Sequence, residues 1–403
     1  MNYVSLFSSA GVGCYGLKME GFDCVATSEL VERRLNVQRA NNKVKYDEGY
    51  ILGDITEKAT KARLYSAIQS FKSKENISDV DVVIFTAPCQ GMSVANHKKN
   101  AMTIARNSLV VEALEIVSEL KPKIFIAENV RAFMNSKCID YGVTKKIEQA
   151  FNDWIGNEYT IVSRVLNFKN YGANSSRTRT LAIGVRNDLS QLINVEDLFP
   201  REEKEKTLYE VIGELPSLSE IGEVHEKDIF HGFKQYREDM RDWIREVKPG
   251  FSAFDNEDIS KRPHTINKMG DIVINTNKNG DKYTRQRWDV VAPCIHTRND
   301  ILASQNTVHP VDDRVFSIRE LMLMMNIPQS FKWSIEDEDK LNNMSIEDKL
   351  AYLKKNEINI RQSIGEAIPT IIIQKIAKNI KGALDDVERK NNKGIDQDLQ
   401  ASA

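Results

Sequence analysis

The chain has 403 residues, 41% hydrophobic and 28% charged, a length that suits two domains or one large domain with a sizeable insertion and excludes a peptide, a fibre or a disordered tail. Its 56 Lys plus Arg face 58 Asp plus Glu, so a formal charge of -2 announces no polyanionic partner, and total charge alone argues against nucleic acid. The longest apolar stretches, Val80 to Ala87 and Ile368 to Ile373, fall far short of the roughly 20 residues that span a bilayer.

Met1 leads directly into a strand-like run, and together with the missing apolar span this predicts a soluble, unprocessed cytoplasmic protein without membrane partners. In chain order, Tyr3 to Phe7, Cys24 to Ser28, Val80 to Thr86 and Ile124 to Ala127 read as strands. Between them Leu30 to Ala40, Ala59 to Phe71 and Leu109 to Leu120 carry apolar residues at helical spacing. The alternation predicts βαβ units in a mostly parallel sheet, and two further runs, Tyr159 to Phe168 and Thr180 to Val185, lie close enough to close it with an antiparallel element. From Asn187 to about Pro310 the periodicity degrades among turn signals at Pro216, Pro249-Gly250, Asn279-Gly280 and Pro293, which predicts a loop-rich second domain with short strands. Residues 335–357 read as a polar helical insertion, Ala367 to Ile380 as an apolar helix returning to the first domain, and the chain from Asp385 as a flexible tail.

Charge is unevenly placed. Residues 196–228 hold eleven acids against four bases, whereas residues 261–319 hold ten bases against six acids, so the near-neutral total hides local asymmetry. Five scattered cysteines (Cys14, Cys24, Cys89, Cys138, Cys294) contain no Cys-x-x-Cys pair. They fit neither a disulfide framework nor a zinc site, so no metal is expected and any important cysteine acts alone.

Three features expected at carboxyl ends of strands point to an adenosine-type ligand. Phe7 to Gly16 follows the first strand and opens a helix with small residues that let a ligand approach the backbone. Glu29 ends the next strand, where an acid can receive two ribose hydroxyls, and Gly53-Asp54-Ile55 follows a possible third strand. Each is common alone; three in sheet order are more specific. Pro88-Cys89-Gln90 then places one thiol at the same rim, where it can be a nucleophile if nearby positive charge lowers its pKa. Arg177 and Arg179, in an acid-free stretch from Thr160 to Arg186, offer that charge, and Glu128 and Asn129 end the next strand, with Glu128 able to donate a proton or hydrogen bond if its pKa is raised.

The order and wording of these segments resemble the DNA (cytosine-5) methyltransferase family of prokaryotic restriction-modification type over nearly the whole chain. Ser5-Leu6-Phe7-Ser8 through Gly21-Phe22 looks like its first cofactor loop and helix, Ala87-Pro88-Cys89-Gln90 like its catalytic loop, and Glu128-Asn129-Val130 like its Glu-Asn-Val triplet. Tyr171-Gly172 through Arg177-Thr178-Arg179 resembles the Gln-x-Arg-x-Arg segment. His309-Pro310, Arg314 and Ser317-Ile318-Arg319-Glu320 resemble the block after the recognition domain, and Gly365-Glu366-Ala367-Ile368-Pro369 the closing segment.

The resemblance implies an α/β protein with a Rossmann-like, mostly parallel sheet of the S-adenosylmethionine-dependent methyltransferase type and a smaller loop-rich target-recognition domain. It assigns residues 1–186 to catalysis and cofactor, 187–310 to target recognition, 311–384 to a return to the catalytic domain, and 385–403 to a tail. It also implies that Cys89 attacks carbon 6 of a flipped cytosine, whose carbon 5 then takes the methyl group of S-adenosyl-L-methionine. Glu128 would hold the base N3 and exocyclic amine, Arg179 its O2, and Arg177 the thiolate side of the pocket. The cofactor would meet Phe7, Ser8, Ala10, Gly11, Val12, Gly13, Glu29, Leu30, Asp54, Ile55, Pro88, Leu109, Glu366 and Ala367. Gln90 and Ser93 would fill or clamp the vacated base site. Arg262, His264, Arg285, Arg287 and Arg298 have the chemistry for phosphate and base-edge contacts on double-stranded DNA, His264 as a hydrogen bonder rather than an acid-base group.

Ser9 and Val12 stand where the family usually has glycine, Ser175 where it has Gln, and Glu366 where it has Asn. The implied enzyme acts as a monomer on DNA and pairs functionally with a restriction endonuclease, an orphan or phage-borne enzyme being equally compatible. A tRNA cytosine methyltransferase would use the same catalytic set. A non-catalytic relative is disfavoured because Cys89, Glu128 and Arg179 are all present. A nicotinamide dehydrogenase leaves Pro-Cys-Gln and Glu-Asn-Val unexplained, and a zinc deaminase needs a His/Cys ligand set that the sequence lacks.

Overall fold

A computed structural model describes residues 1–88, 107–277 and 280–401, with side chains through Lys390. Its contacts divide into two units: Met1–Tyr171, Thr178–Glu202 and the chain from Thr370 onward form the first, and Gly172–Arg177 with Glu203–Pro369 the second.

The first unit is built on β1 (Asn2–Leu6), α1 (Tyr15–Met19), β2 (Asp23–Glu29), α2 (Glu32–Ala40), β3 (Tyr50–Leu52), α3 (Lys58–Glu75), β4 (Val82–Phe85), α4 (Leu109–Leu120) and β5 (Ile124–Val130). A hairpin of β6 (Lys137–Asp140) and β7 (Val143–Lys146) follows, then α5 (Ile147–Ile155), β8 (Tyr159–Asn167) and β9 (Thr178–Arg186). Seven strands form one sheet in the order β3-β2-β1-β4-β5-β9-β8, with β1 to β5 parallel and β9 antiparallel to both its neighbours. The central strands read as continuous apolar runs because both faces are covered: β4 is buried throughout and β5 through Asn129. Gly184 of β9 is required where the Phe125 ring crosses it, since an added Cβ would lie 2.1 Å from that ring.

The β6–β7 hairpin was not foreseen. Its turn, Tyr141-Gly142, has positive φ at both positions, the backbone of a primed hairpin turn, although its sequence lacks the usual Asn-Gly signal. The terminal helix, Thr370–Ala401, extends through the segment expected to be a tail from Asp385. It meets the first loop closely: Thr370 Oγ1 donates to the Val12 carbonyl at 3.1 Å, and an added Cβ at Gly16 would lie 2.5 Å from the backbone nitrogen of Gln374.

The second unit has short elements, as expected: α6 (Leu208–Ile212), α7 (Glu238–Ile244), the two-stranded pair β10 (His264–Ile266) and β11 (Ile272–Ile274), α8 (Ile318–Met324), α9 (Glu338–Asn342) and α10 (Ile346–Glu366). Its extent differs from the expected boundaries, because residues 311–369 pack with it. Arg361 donates to the carbonyls of Asn299 and Phe316, and Ser317 hydrogen-bonds His231 at 3.0 Å. The insertion at 335–357 supplies α9 and the first part of α10, and it buries Leu341 and Lys349 within this unit.

A buried ionic cluster organises α8. Arg314 is fully buried and reaches both carboxylate oxygens of Glu320 at 2.8 Å and Asp312 at 2.9 Å, while Glu320 also closes the capping box of Ser317. His309 lies beside it, its Nδ1 accepting the Asp312 backbone N–H at 2.9 Å. Burial, reinforced by Arg314 and opposed by Glu320 and Asp312, pushes its pKa from the usual 6.5 down to about 4. The unfolded chain therefore takes up a proton here between about pH 6.5 and 4 that the folded chain refuses, so this group's stabilisation is complete above that window and is lost as pH falls through it. A thermal unfolding series should show this loss, with a shallower slope between pH 6.5 and 4 in His309→Gln; an unchanged slope would refute the assignment.

Candidate active site

The parallel register brings four loops to one rim of the first unit. Leu6 stands level with Ser28 and Phe85, Glu29 with Leu52, and Phe85 with Ala127, so the chain leaves β1, β2, β3 and β4 on the same side. The β1 loop turns sharply, with Phe7 at φ 55°, Ser9 at 47° and Gly11 at 82°. Only glycine adopts that region without cost, so Phe7 and Ser9 are held there by their surroundings.

Glu29 is the chief restraint. It is 6% exposed, and its two carboxylate oxygens accept the backbone N–H groups of Ser9 at 2.7 Å and Val31 at 3.0 Å. The Phe7 carbonyl accepts from Thr86 Oγ1 at 2.9 Å, which ties the β1 loop to the β4 loop. Ser8, Ala10, Val12 and Ile55 are buried, Phe7, Gly13 and Leu109 half-buried, and Leu30 exposed. Asp54 accepts the N–H and Oγ1–H of Thr56 and so shapes the β3 loop. This rim fits S-adenosylmethionine: it offers an acid in Glu29, an aromatic ring in Phe7, and a tight turn of small residues at positive φ. Glu366 and Ala367 belong to the second unit.

At the β5 end, Glu128 is buried and pairs with Arg179 of β9, Nε to Oε1 at 3.3 Å. Asn129 donates from Nδ2 to the Ala87 carbonyl at 2.8 Å, which fixes the backbone just before Pro88. Cys89, Gln90 and Ser93 lie outside the described residues. Burial pushes the thiols of Cys24 and Cys138 up to about 12 and about 11, so both stay protonated at neutral pH and neither is a nucleophile.

Two arginines occupy places that the sequence does not betray. Arg177, in the second unit, is 3% exposed and donates to the carbonyls of Ile295, Gly365 and Glu366, so it clamps the closing segment. Arg285, expected to face DNA, is also 3% exposed: its donors reach the carbonyls of Val247, Ile244, His309, Val311 and Asp312 and the Asp313 carboxylate. It is a structural hub. Arg287 and Arg298 are exposed beside Asp289 and Asp300, Arg262 is half-buried with Nε on the Asn256 carbonyl, and His264 begins β10 against the Trp243 ring.

Sequence reasoning missed Ser5, Thr27, Gln38 and Lys43, which are buried beneath the β1 loop. The available signal was Ser5 and Thr27 themselves, polar residues within apolar strand runs. Among the described residues no group of His, Cys, Asp and Glu is placed to hold a metal, and no helix is long and apolar enough to cross a membrane.

The fold and rim define an α/β methyltransferase of the S-adenosylmethionine-dependent type. The family model for C-5 cytosine-specific DNA methylases matches residues 1–382. The Type II methyltransferase M1.HgaI of Avibacterium volantium is 30% identical over 94% of this chain and 97% of its own length; M.DdeI of Desulfomicrobium norvegicum is 25% identical over 98% and 92%. Among solved structures, a protein assigned as a prophage-encoded DNA modification methyltransferase (E. coli) superposes with a TM-score of 0.63 at 18% identity, covering 96% of this chain and 99% of its own. DNMT2 of Spodoptera frugiperda follows at 0.55 and 15%, over 94% and 99%, and both structures bear on the fold alone. The chain belongs to the C-5 cytosine-specific DNA methylase family, and it is a DNA cytosine-5 methyltransferase that uses S-adenosyl-L-methionine.

Removing the Arg285 guanidinium leaves six acceptors without their donor, so Arg285→Met should cost on the order of 3 kcal/mol or more in denaturant unfolding. Arg298→Ala, at an exposed site, should stay within about 0.5 kcal/mol; equal effects would contradict the hub assignment.

Proposed function

We propose that the enzyme methylates a flipped cytosine within a specific duplex sequence through a covalent adduct on Cys89. The observation that carries this reading is the Glu128–Arg179 pair beside Asn129, whose bond to Ala87 holds the backbone just before Pro88. Glu128 faces the base N3 and exocyclic amine, and Arg179 its O2, a polar edge that only cytosine presents in this order. Addition of the Cys89 thiolate to carbon 6 turns carbon 5 into a nucleophile. S-adenosylmethionine supplies the electrophilic methyl group that carbon 5 takes. A base then removes the carbon-5 proton, and its electron pair reforms the 5,6 double bond as the thiolate leaves.

In the first unit, Glu29 receives the ribose hydroxyls, Phe7 stacks on the adenine, and Asp54 with Ile55 borders its edge and face. Pro88 and Leu109 complete the pocket. In the second unit, Arg262, His264, Arg287 and Arg298 supply target and phosphate contacts. The β10–β11 pair supports this: Ile266, Met269, Ile272, Val273 and Ile274 are all exposed, an apolar set suited to thymine methyl groups and groove walls. Arg285 is left out because its donors are spent. The relatives' designation as Type II methyltransferases supports a modification role beside a restriction endonuclease; in this reading the enzyme acts as a monomer in the cytoplasm.

Purified protein incubated with methyl-labelled S-adenosylmethionine and separate pools of duplex DNA and tRNA should label DNA cytosine at carbon 5, and Cys89→Ala should abolish the label. Label confined to tRNA, or persisting in Cys89→Ala, would refute the proposal.

A further inference from the structure

Beneath the β1 loop lies a buried lysine whose ammonium is met by hydroxyls. Lys43 is 8% exposed, and its Nζ donates to Thr27 Oγ1 at 2.9 Å and Ser5 Oγ at 3.1 Å. Thr27 donates to Gln38 Oε1 at 2.8 Å, Gln38 Nε2 donates to the Ser9 carbonyl at 2.6 Å, and the Ser9 N–H donates to Glu29 Oε2 at 2.7 Å. Both long side chains sit directly under the turn: a Cβ on Gly11 would meet Gln38 Cγ at 3.1 Å and Lys43 Cδ at 3.5 Å.

An ammonium can only donate, so Lys43 takes a lone pair of Thr27 and one of Ser5. The Thr27 hydroxyl donates to Gln38 Oε1, and the Gln38 amide nitrogen donates to the Ser9 carbonyl. Ser8 Oγ lies 2.6 Å from Thr27 Oγ1 and 2.7 Å from Ser5 Oγ, and it donates to the Ser5 carbonyl at 3.2 Å. Cys14 Sγ lies 3.1 Å from Ser5 Oγ. Lys43 anchors the donor end of this network.

We propose that Lys43 is a positioning residue for cofactor binding, acting through the Thr27–Gln38 hydrogen-bond chain on Ser9 and Glu29. The proposal rests on the reading that Glu29 holds the ribose. Ser9 stands at φ 47° where a glycine would be unstrained, and the chain grips it on both sides, the carbonyl by Gln38 and the N–H by Glu29. The same two bonds aim the Glu29 carboxylate. In this protein the lysine-anchored network does the work that a glycine would otherwise do at position 9.

The test is calorimetric titration of the full chain with S-adenosylhomocysteine. Lys43→Met should weaken binding roughly tenfold, the loss of about one charge-assisted hydrogen bond, and Thr27→Val, which breaks the same chain one link on, should weaken it similarly. Adding Ser9→Gly to Lys43→Met should restore most of the affinity, because the strain the network offsets is gone; a merely structural lysine would not be rescued from position 9. Wild-type affinity in Lys43→Met, or no rescue by Ser9→Gly, overturns the proposal. Glu29→Ala is scored separately: unchanged affinity there refutes the ribose reading and leaves the lysine result to be judged by its own rescue.

Discussion

The Glu29 carboxylate binds the N–H groups of Ser9 and Val31, the loops leaving two adjacent parallel strands, and so couples the first turn of the chain to the second. Without that anchor Ser9 would keep its left-handed backbone with only the Gln38 bond on its carbonyl. With it, the loop becomes a rigid cradle, closed from behind by the terminal helix through Thr370 and the glycine contact at position 16. The same carboxylate is the group proposed to receive the ribose, so in that proposal the acid that organises the loop also reads the cofactor.

The second half of the site follows a similar economy. Asn129 holds the backbone before the Pro88 turn, while its neighbour Glu128 is steadied by Arg179 from the antiparallel strand β9. The one strand that runs against the rest of the sheet is the strand that delivers a cation to the rim. Its register, Arg179 level with Val130, places that charge beside Glu128.

Much of this was legible in the sequence. The parallel strands are buried on both faces and therefore appear as apolar runs, and the glycine loop, Glu29, Pro88 and Glu128-Asn129 fall at their ends. What stayed hidden shares a physical cause: charge in sequence reads as surface. Arg177, Arg285 and Lys43 are each buried, and only the non-local carbonyls and hydroxyls around them reveal it. The grouping of residues 311–369 with the second unit was hidden for the same reason, since it depends on partners such as Asn299 and His231, tens of residues away. The extended terminal helix was missed because its polar end lacks the apolar face that marks its beginning.

The central claim is a covalent cytosine adduct on one thiol, and intact-mass measurement after incubation with S-adenosylmethionine and duplex DNA containing 5-fluorocytosine tests it most directly. Fluorine at carbon 5 cannot leave as a proton does, so the protein should retain the methylated strand, with peptide mapping placing it on Cys89. Absence of an adduct, or its attachment at any other residue, would contradict the account.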